Sequence, residues 1–288
     1  MKRNRYFYIS LGLMSILIFT FTFFKVDKKK RKYLFPLYFT FAGFNYIFEY
    51  VVLVLLRAYG YSPKIFNNKY YDNMIGATFS QLYIVPVTGL LYSILDLKYR
   101  WSLLFTMILS LTEKWFTYKG IFKEYWWRLS YSVIGLQIFY SLTKYWSELL
   151  MKRKNKFVMY STIFSAIFVT HSTLFFYQYT FLQTVLFRIR VFPNLYRSHI
   201  TIATLYSVAT SIILFMCVLT KKSVVIVATI VISCLCDFVL TNTKQIVVKK
   251  PIHYLLSPLT KGLCCLLALR FQYTLKEKMT NQKTLENE

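Results

Sequence analysis

Ionisable side chains inside apolar stretches are the residues of this 288-residue chain best suited to chemistry, because a charge held at the centre of a bilayer is costly. Four qualify: Glu49, Glu113, His171 and Asp237. Two carboxylates sharing a solvated cavity bind a cation or relay protons, since repulsion and desolvation oppose ionising both at once. Glu113 and Asp237 would make such a pair if both faced one bundle interior. The plainer expectation, and the one the sequence favours, is that each meets a neighbouring lysine at the membrane surface, Lys114, Lys119 or Lys244. Glu49 and Arg57 stand two turns apart, too far for an i,i+4 pair. His171 reads as a hydrogen-bonded interior histidine rather than a ligand.

Cysteine chemistry is not expected. Cys234 and Cys236 are spaced C-x-C, Cys264 and Cys265 are adjacent, and Cys217 stands alone, none of which is a structural zinc or thioredoxin-type spacing. All five fall in apolar stretches, so they are expected to pack as small reduced side chains. The phosphate-binding, dinucleotide-binding, nucleophile-elbow and zinc-protease motifs are absent from the sequence. The expectation is a protein that is not an enzyme and carries no cofactor or metal.

The elements that must position these residues are membrane helices. With 56% hydrophobic residues, 20% aromatics and a mean hydropathy of +0.43, the chain is too apolar for an ordinary soluble domain. Spanning the hydrocarbon core takes about 20 apolar residues. Nine stretches are read as spans: 6–24, 33–56, 75–95, 101–117, 129–145, 157–187, 200–219, 224–240 and 254–269. The sixth is longer than a bilayer requires, and its second part is expected to tilt or leave the core as an aromatic interfacial helix. The basic start MKRNR superficially resembles a signal peptide, but no small-residue cleavage site follows it, so the first span is read as uncleaved. Continuous apolar runs, rather than alternating ones, disfavour a β-barrel.

The net charge of +25 is spread in short basic runs between the spans, a layout suited to anionic lipid headgroups and not to nucleic acid. Lys28, Lys29, Lys30, Arg31, Lys32, Lys152, Arg153 and Lys154 are the expected headgroup contacts. The tight basic loops after spans one, three, five and seven predict an extracellular N-terminus and a cytoplasmic C-terminus. Trp115, Trp126 and Trp127 near Tyr125 read as an interfacial aromatic belt. Ala203, Ser207 and Ser211, with Gly76 and Ser80, read as close helix-packing stripes.

Self-comparison reveals a repeated order at an offset of about 124 residues, drifting to about 130 and back. Lys28–Lys32 before Tyr33 matches Lys152–Lys156 before Phe157, Pro63 matches Pro193, Leu97-Lys98 matches Thr220-Lys221, Glu113 matches Asp237 and Lys123 matches Lys249. The expected organisation is a four-span repeat over 1–124, a second over 125–248, and a final span with a cytoplasmic tail over 249–288. An even number of spans per unit makes them parallel repeats.

From SPKIFNN through LYSILDLKYRWSLL to LTEKWFTYKGIFKEYWWRLSYSVIGLQIFYSLTKYW, the first 150 or so residues resemble a group of small multi-span membrane proteins of endospore-forming Gram-positive bacteria. The matching positions are Pro63, Asn67, Lys98, Glu113, Trp126, Trp127 and Lys144. The resemblance implies a plasma-membrane location and no particular activity. Two functions follow from the sequence. The first is a membrane interaction or structural component, of a sporulation or envelope assembly, with other membrane proteins as partners. The second is a small-solute or ion carrier with its site between the repeats. A carrier needs a polar site within the membrane and a structural component does not.

Overall fold

A computed structural model describes residues 4–285. Residues 1–3 of the basic start and 286–288 of the expected cytoplasmic tail lie outside the described residues. Nine continuous helical rods run through the described chain, and seven of them are long and apolar enough to cross a membrane. The chain is an all-α, multi-pass membrane protein. The two rods outside that set are the expected fourth and fifth spans, which carry Arg100, Glu113 and Lys114, and Lys144 and Glu148. The chain divides into two compact units, Met1–Val158 and Met159–Glu288.

The first unit opens with α1 (Asn4–Lys25) and a 3-10 turn, Arg31–Tyr33. Helix α2 (Leu34–Glu49) continues into a π-helical turn, Tyr50–Leu55, and the chain then enters strand β1 (Tyr59–Tyr61). Helix α3 (Lys69–Thr78) passes through a second π-helical turn, Phe79–Ile84, into α4 (Val85–Ile94). The proline in this rod has a local cause and a local remedy. Pro86 has no N–H for the carbonyl of Leu82, and the Tyr38 hydroxyl donates to that carbonyl instead, at 2.6 Å. Helix α5 (Tyr99–Tyr118), strand β2 (Phe122–Glu124) and α6 (Leu129–Met151) complete the unit. β1 and β2 pair antiparallel, Tyr59 opposite Glu124 and Tyr61 opposite Phe122.

Tyr8 donates to the carbonyl of Ile121, and Asn4 to that of Ser62, so α1 begins at the ribbon end of this unit. The opposite end gathers the basic loops. Asp96 forms an ion pair with Lys144 at 3.0 Å, and this contact, with Lys152 and Lys30 adding, holds its carboxyl below the usual range. Two close approaches fix the helices. A Cβ on Gly76 would stand 2.4 Å from the Cβ of Tyr61, and one on Gly89 would stand 2.7 Å from the Phe139 ring.

The second unit contains α7 (Lys156–Thr180), β3 (Val185–Phe187), α8 (Leu195–Thr220), α9 (Ser223–Asn242), β4 (Ile246–Val248) and α10 (His253–Leu285). The expected interfacial helix in the second part of stretch 157–187 is instead strand β3. It pairs with β4, so its backbone bonds are satisfied across a ribbon, Val185 opposite Val248 and Phe187 opposite Ile246.

Small backbone devices recur in both units. The N-cap Asn68 accepts from the N–H groups of Tyr70 and Tyr71, and Asn194 accepts from those of Tyr196 and Arg197. Asp72 accepts from Lys64, Ile65 and Phe66 N–H in one unit; Ser198 accepts from Val191 and Phe192 N–H in the other. Asn73 Oδ1 accepts from Tyr61 N–H, and His199 Nδ1 from Phe187 N–H. Left-handed residues enter the first strands at Arg57 and Gln183, and precede the second strands at Gly120 and Lys244. The cap asparagines Asn68 and Asn194 each stand 11 residues after the left-handed Arg57 and Gln183, a spacing that Pro63 and Pro193 do not share. Ala203, Ser207 and Ser211 are buried along α8, as the small-residue stripe leads one to expect.

Candidate functional site

Glu113 borders one cavity of about 370 Å³ within the first unit, and Glu49 is bound to two residues of its wall, Tyr59 and Gln81. Its walls are largely aromatic and aliphatic: Phe44 and Phe48 from α2, Tyr59, Tyr61 and Phe122 from the ribbon, Trp127, and Leu136 and Phe139 from α6. Gly76 and Gly135 also border it, and an added Cβ on Gly135 would meet nothing within 4 Å. Polar groups enter from α2, the second π turn, α5 and α6, as Asn45, Gln81, Glu113 and Ser132. The second π turn, Phe79–Ile84, lies beside the cavity and carries Gln81, while the first, Tyr50–Leu55, follows Glu49 directly. Such turns re-aim side chains at ligand sites.

The Glu49 side chain is 4% exposed, and its Oε2 accepts from the Tyr59 hydroxyl at 2.6 Å and from Gln81 Nε2 at 2.8 Å. Its Oε1 has no hydrogen-bond partner, nor has Asn45 Nδ2, one turn earlier on α2 and 6% exposed. Burial, with the Glu49 charge adding, pushes the Tyr59 and Tyr61 phenols well above their ordinary range, so both remain donors. Half-buried Glu113 accepts from Ser132 Oγ at 2.8 Å, and Trp127 Nε1 donates to that same oxygen at 2.8 Å. Among the described residues neither Glu49 nor Glu113 has a Lys, Arg or His within ion-pair distance. The expected pairing of Glu113 with Lys114 or Lys119 is therefore not made. Glu113 turns toward the cavity, while Lys114 and Lys119 point to the exposed surface.

Asp237, in the second unit, has quite different surroundings. It is 5% exposed and bound by Lys261 Nζ at 2.7 Å, Ser257 Oγ at 2.7 Å and the Tyr206 hydroxyl. Its lysine is Lys261 on α10, not Lys244 in the loop. Lys261 is 1% exposed, a fully buried cation in the stretch 254–269 and a further intramembrane charge beside Glu49, Glu113, His171 and Asp237. Its spacing from Ser257, one helical turn, was the available signal. His171 packs here too, its ring 6.0 Å from Tyr206 and 5.9 Å from Phe175, with Nδ1 unpartnered. The structure thus brings His171 together with Asp237 through Tyr206, whereas Glu113 borders the cavity itself and Glu49 binds its wall residues Tyr59 and Gln81.

The two sites share several local contacts. Ser132 donates to Glu113 as Ser257 donates to Asp237, and Leu136 follows Ser132 by the turn that separates Lys261 from Ser257. Counted back from the left-handed residues Arg57 and Gln183, Glu49 corresponds to Phe175. Thr117 and Thr241 each donate to the carbonyl of the acidic residue one turn before.

The other expected positions are peripheral. Lys28, Lys29, Lys152 and Arg153 are exposed, and Arg31 lies over the Phe23 ring at 5.0 Å. Cys217, Cys264 and Cys265 are buried and reduced, but Cys236 is exposed and Cys234 half-buried, because α9 turns most of its surface outward. Of the tryptophans expected in the belt, Trp127 lines the cavity, whereas Trp115 and Trp126 are exposed. No protein-family model, curated protein or solved structure matches the chain significantly.

Proposed function

We propose that the protein is a plasma-membrane carrier that takes a small cationic solute into the cavity of its first unit, without covalent chemistry. The observation that carries this reading is Glu113 on an apolar-walled cavity, with Glu49 bound to the wall residues Tyr59 and Gln81 and neither carboxylate having a described basic partner, in a chain whose Asp237 is neutralised by its own lysine. An uncompensated carboxylate in apolar surroundings is costly, and a bound cation relieves that cost. The site proposed lies within one unit rather than between two. A purely structural membrane role keeps one supporting observation, the outward apolar face of α9 with Val224, Val227, Val231 and Leu235, which also suits contact with lipid.

We further propose that the shared devices reflect an internal duplication, with Leu34–Met151 and Lys156–Leu275 as the repeated four-rod units and α1 as an added first span. On this reading α5 and α6 cross the membrane like their counterparts α9 and α10, giving nine spans. The parallel repeats leave the N-terminus outside and the C-terminus in the cytoplasm, and the basic loops at Lys28–Lys32 and Lys152–Lys154 face anionic headgroups from the cytoplasmic side.

A thermal-shift experiment tests the function. Full-length protein in lipid nanodiscs is melted at constant ionic strength in sodium, potassium, ammonium, guanidinium and n-butylammonium chlorides. At least one cation raises Tm in wild type, and the rise disappears in Glu49→Gln/Glu113→Gln. Equal melting in all five salts, or an unchanged rise in the double variant, would end the carrier reading.

A further inference from the structure

We infer that the solute is a primary alkylammonium, held in the first unit as the lysine side chain is held in the second. The inference rests on the cationic-solute reading and adds the chemical class of the solute.

Lys261 is, in effect, an alkylammonium tethered to α10. Its Nζ sits 2.7 Å from Asp237 Oδ2, on the same oxygen that accepts from Ser257, and its four-carbon stem is buried with it. The first unit repeats the carboxylate and the serine as Glu113 and Ser132, but the position one turn on is Leu136, which cannot reach a carboxylate with charge. Beside that vacant ammonium position lies open volume of about 370 Å³. A water takes about 30 Å³ of liquid, so the space far exceeds a bare metal ion and has ample room for an ammonium with a carbon chain.

The walls decide between cations. A metal ion keeps a shell of oxygen ligands, and the cavity offers mostly ring faces and aliphatic carbon. An alkylammonium needs three acceptors at one end and apolar surface along the rest. Glu113 supplies the carboxylate and Ser132 a hydroxyl, while Phe44, Phe48 and Leu136 supply the apolar surface. Ring faces such as Trp127 attract the cation further.

The experiment is calorimetric titration of the full-length protein in nanodiscs with n-butylammonium, tetramethylammonium, sodium and n-butanol. n-Butylammonium is expected to bind at least about tenfold more tightly than the other three, with a loss of about tenfold or more in Glu113→Gln. Leu136→Lys, which places a tethered ammonium in the cavity, is expected to abolish n-butylammonium binding, and Leu136→Met to retain it. If Leu136→Lys does not fold, Ser132→Ala carries the test, weakening n-butylammonium and leaving n-butanol unchanged. Sodium or tetramethylammonium binding as tightly as n-butylammonium would overturn the alkylammonium inference and leave the cationic carrier standing. Equal binding of n-butanol, or no binding at all, would overturn both.

Discussion

Glu113 and Asp237 sit at corresponding places in two units with the same order of helices and ribbons, yet one faces a cavity and the other is locked in an ion pair. The difference turns on a few side chains. The second unit has Lys261 where the first has Leu136, and Phe175 where the first has Glu49. Its α7 and α8 are α-helical throughout, whereas both corresponding rods of the first unit carry a π turn. One scaffold thus closes a polar site with its own cation in one unit and leaves the site open in the other. The two acidic positions are told apart by the residue one turn after the serine that donates to each, Leu136 after Ser132 and Lys261 after Ser257.

The largest expected effect lies in the closed site. Lys261→Met leaves Asp237 as an uncompensated buried charge and should cost about 3–5 kcal/mol of stability, whereas Lys261→Met/Asp237→Asn should recover most of it. Glu113→Gln in the open site should change stability by no more than about 0.5 kcal/mol, because no buried ion pair is broken. Thermal unfolding followed by size-exclusion recovery compares the three. A Glu113→Gln loss as large as that of Lys261→Met would erase the distinction between the units.

A smaller effect is expected from the packing that shapes the cavity. Gly76→Ala drives a Cβ into Tyr61 and should cost about 1–3 kcal/mol while weakening solute binding, since α3 must move away from β1. Gly135→Ala, at the open edge, should be tolerated and narrow the cavity. Equal melting of the two variants would show that the ribbon contact does not hold α3 in place. The contact is local, so the readout should include thermolysis of the β1–α3 loop.

The smallest effect belongs to the far end of the first unit. Asp96 is largely exposed, and its ion pair with Lys144 should contribute at most about 1 kcal/mol. Because its folded carboxyl is held below the ordinary range, that contribution is present at neutral pH and fades as pH falls through the lowered value. Asp96→Asn should therefore melt slightly below wild type at pH 7 and coincide with it in strong acid. A gap that widened on acidification would contradict the assignment.

Much of the helical frame was legible in the sequence because apolar length registers directly as a membrane helix. The ribbons were not: Tyr59–Tyr61 and Val185–Phe187 are three-residue strands whose partners lie far along the chain, and the second is buried in a stretch that reads as one long apolar run. Glu49, Glu113, His171 and Asp237 were legible as intramembrane ionisable residues, but their grouping was not. It depends on the helix faces presented within each unit, and Glu49 meets the cavity wall only through Tyr59 and Gln81. The role of Lys261 is not visible in the sequence because a single lysine barely alters the hydropathy of the stretch 254–269, and its partner Asp237 lies on another helix.

The central claim, that Leu136 stands where the second unit keeps its lysine, is tested most directly by a double-mutant cycle of Leu136→Lys and Glu113→Gln measured by thermal unfolding. The account predicts that Leu136→Lys is tolerated while Glu113 is present and becomes strongly destabilising in Glu113→Gln, a coupling above about 1 kcal/mol. Additive effects of the two substitutions would mean that a lysine at 136 does not meet Glu113, and would contradict the correspondence on which the account rests.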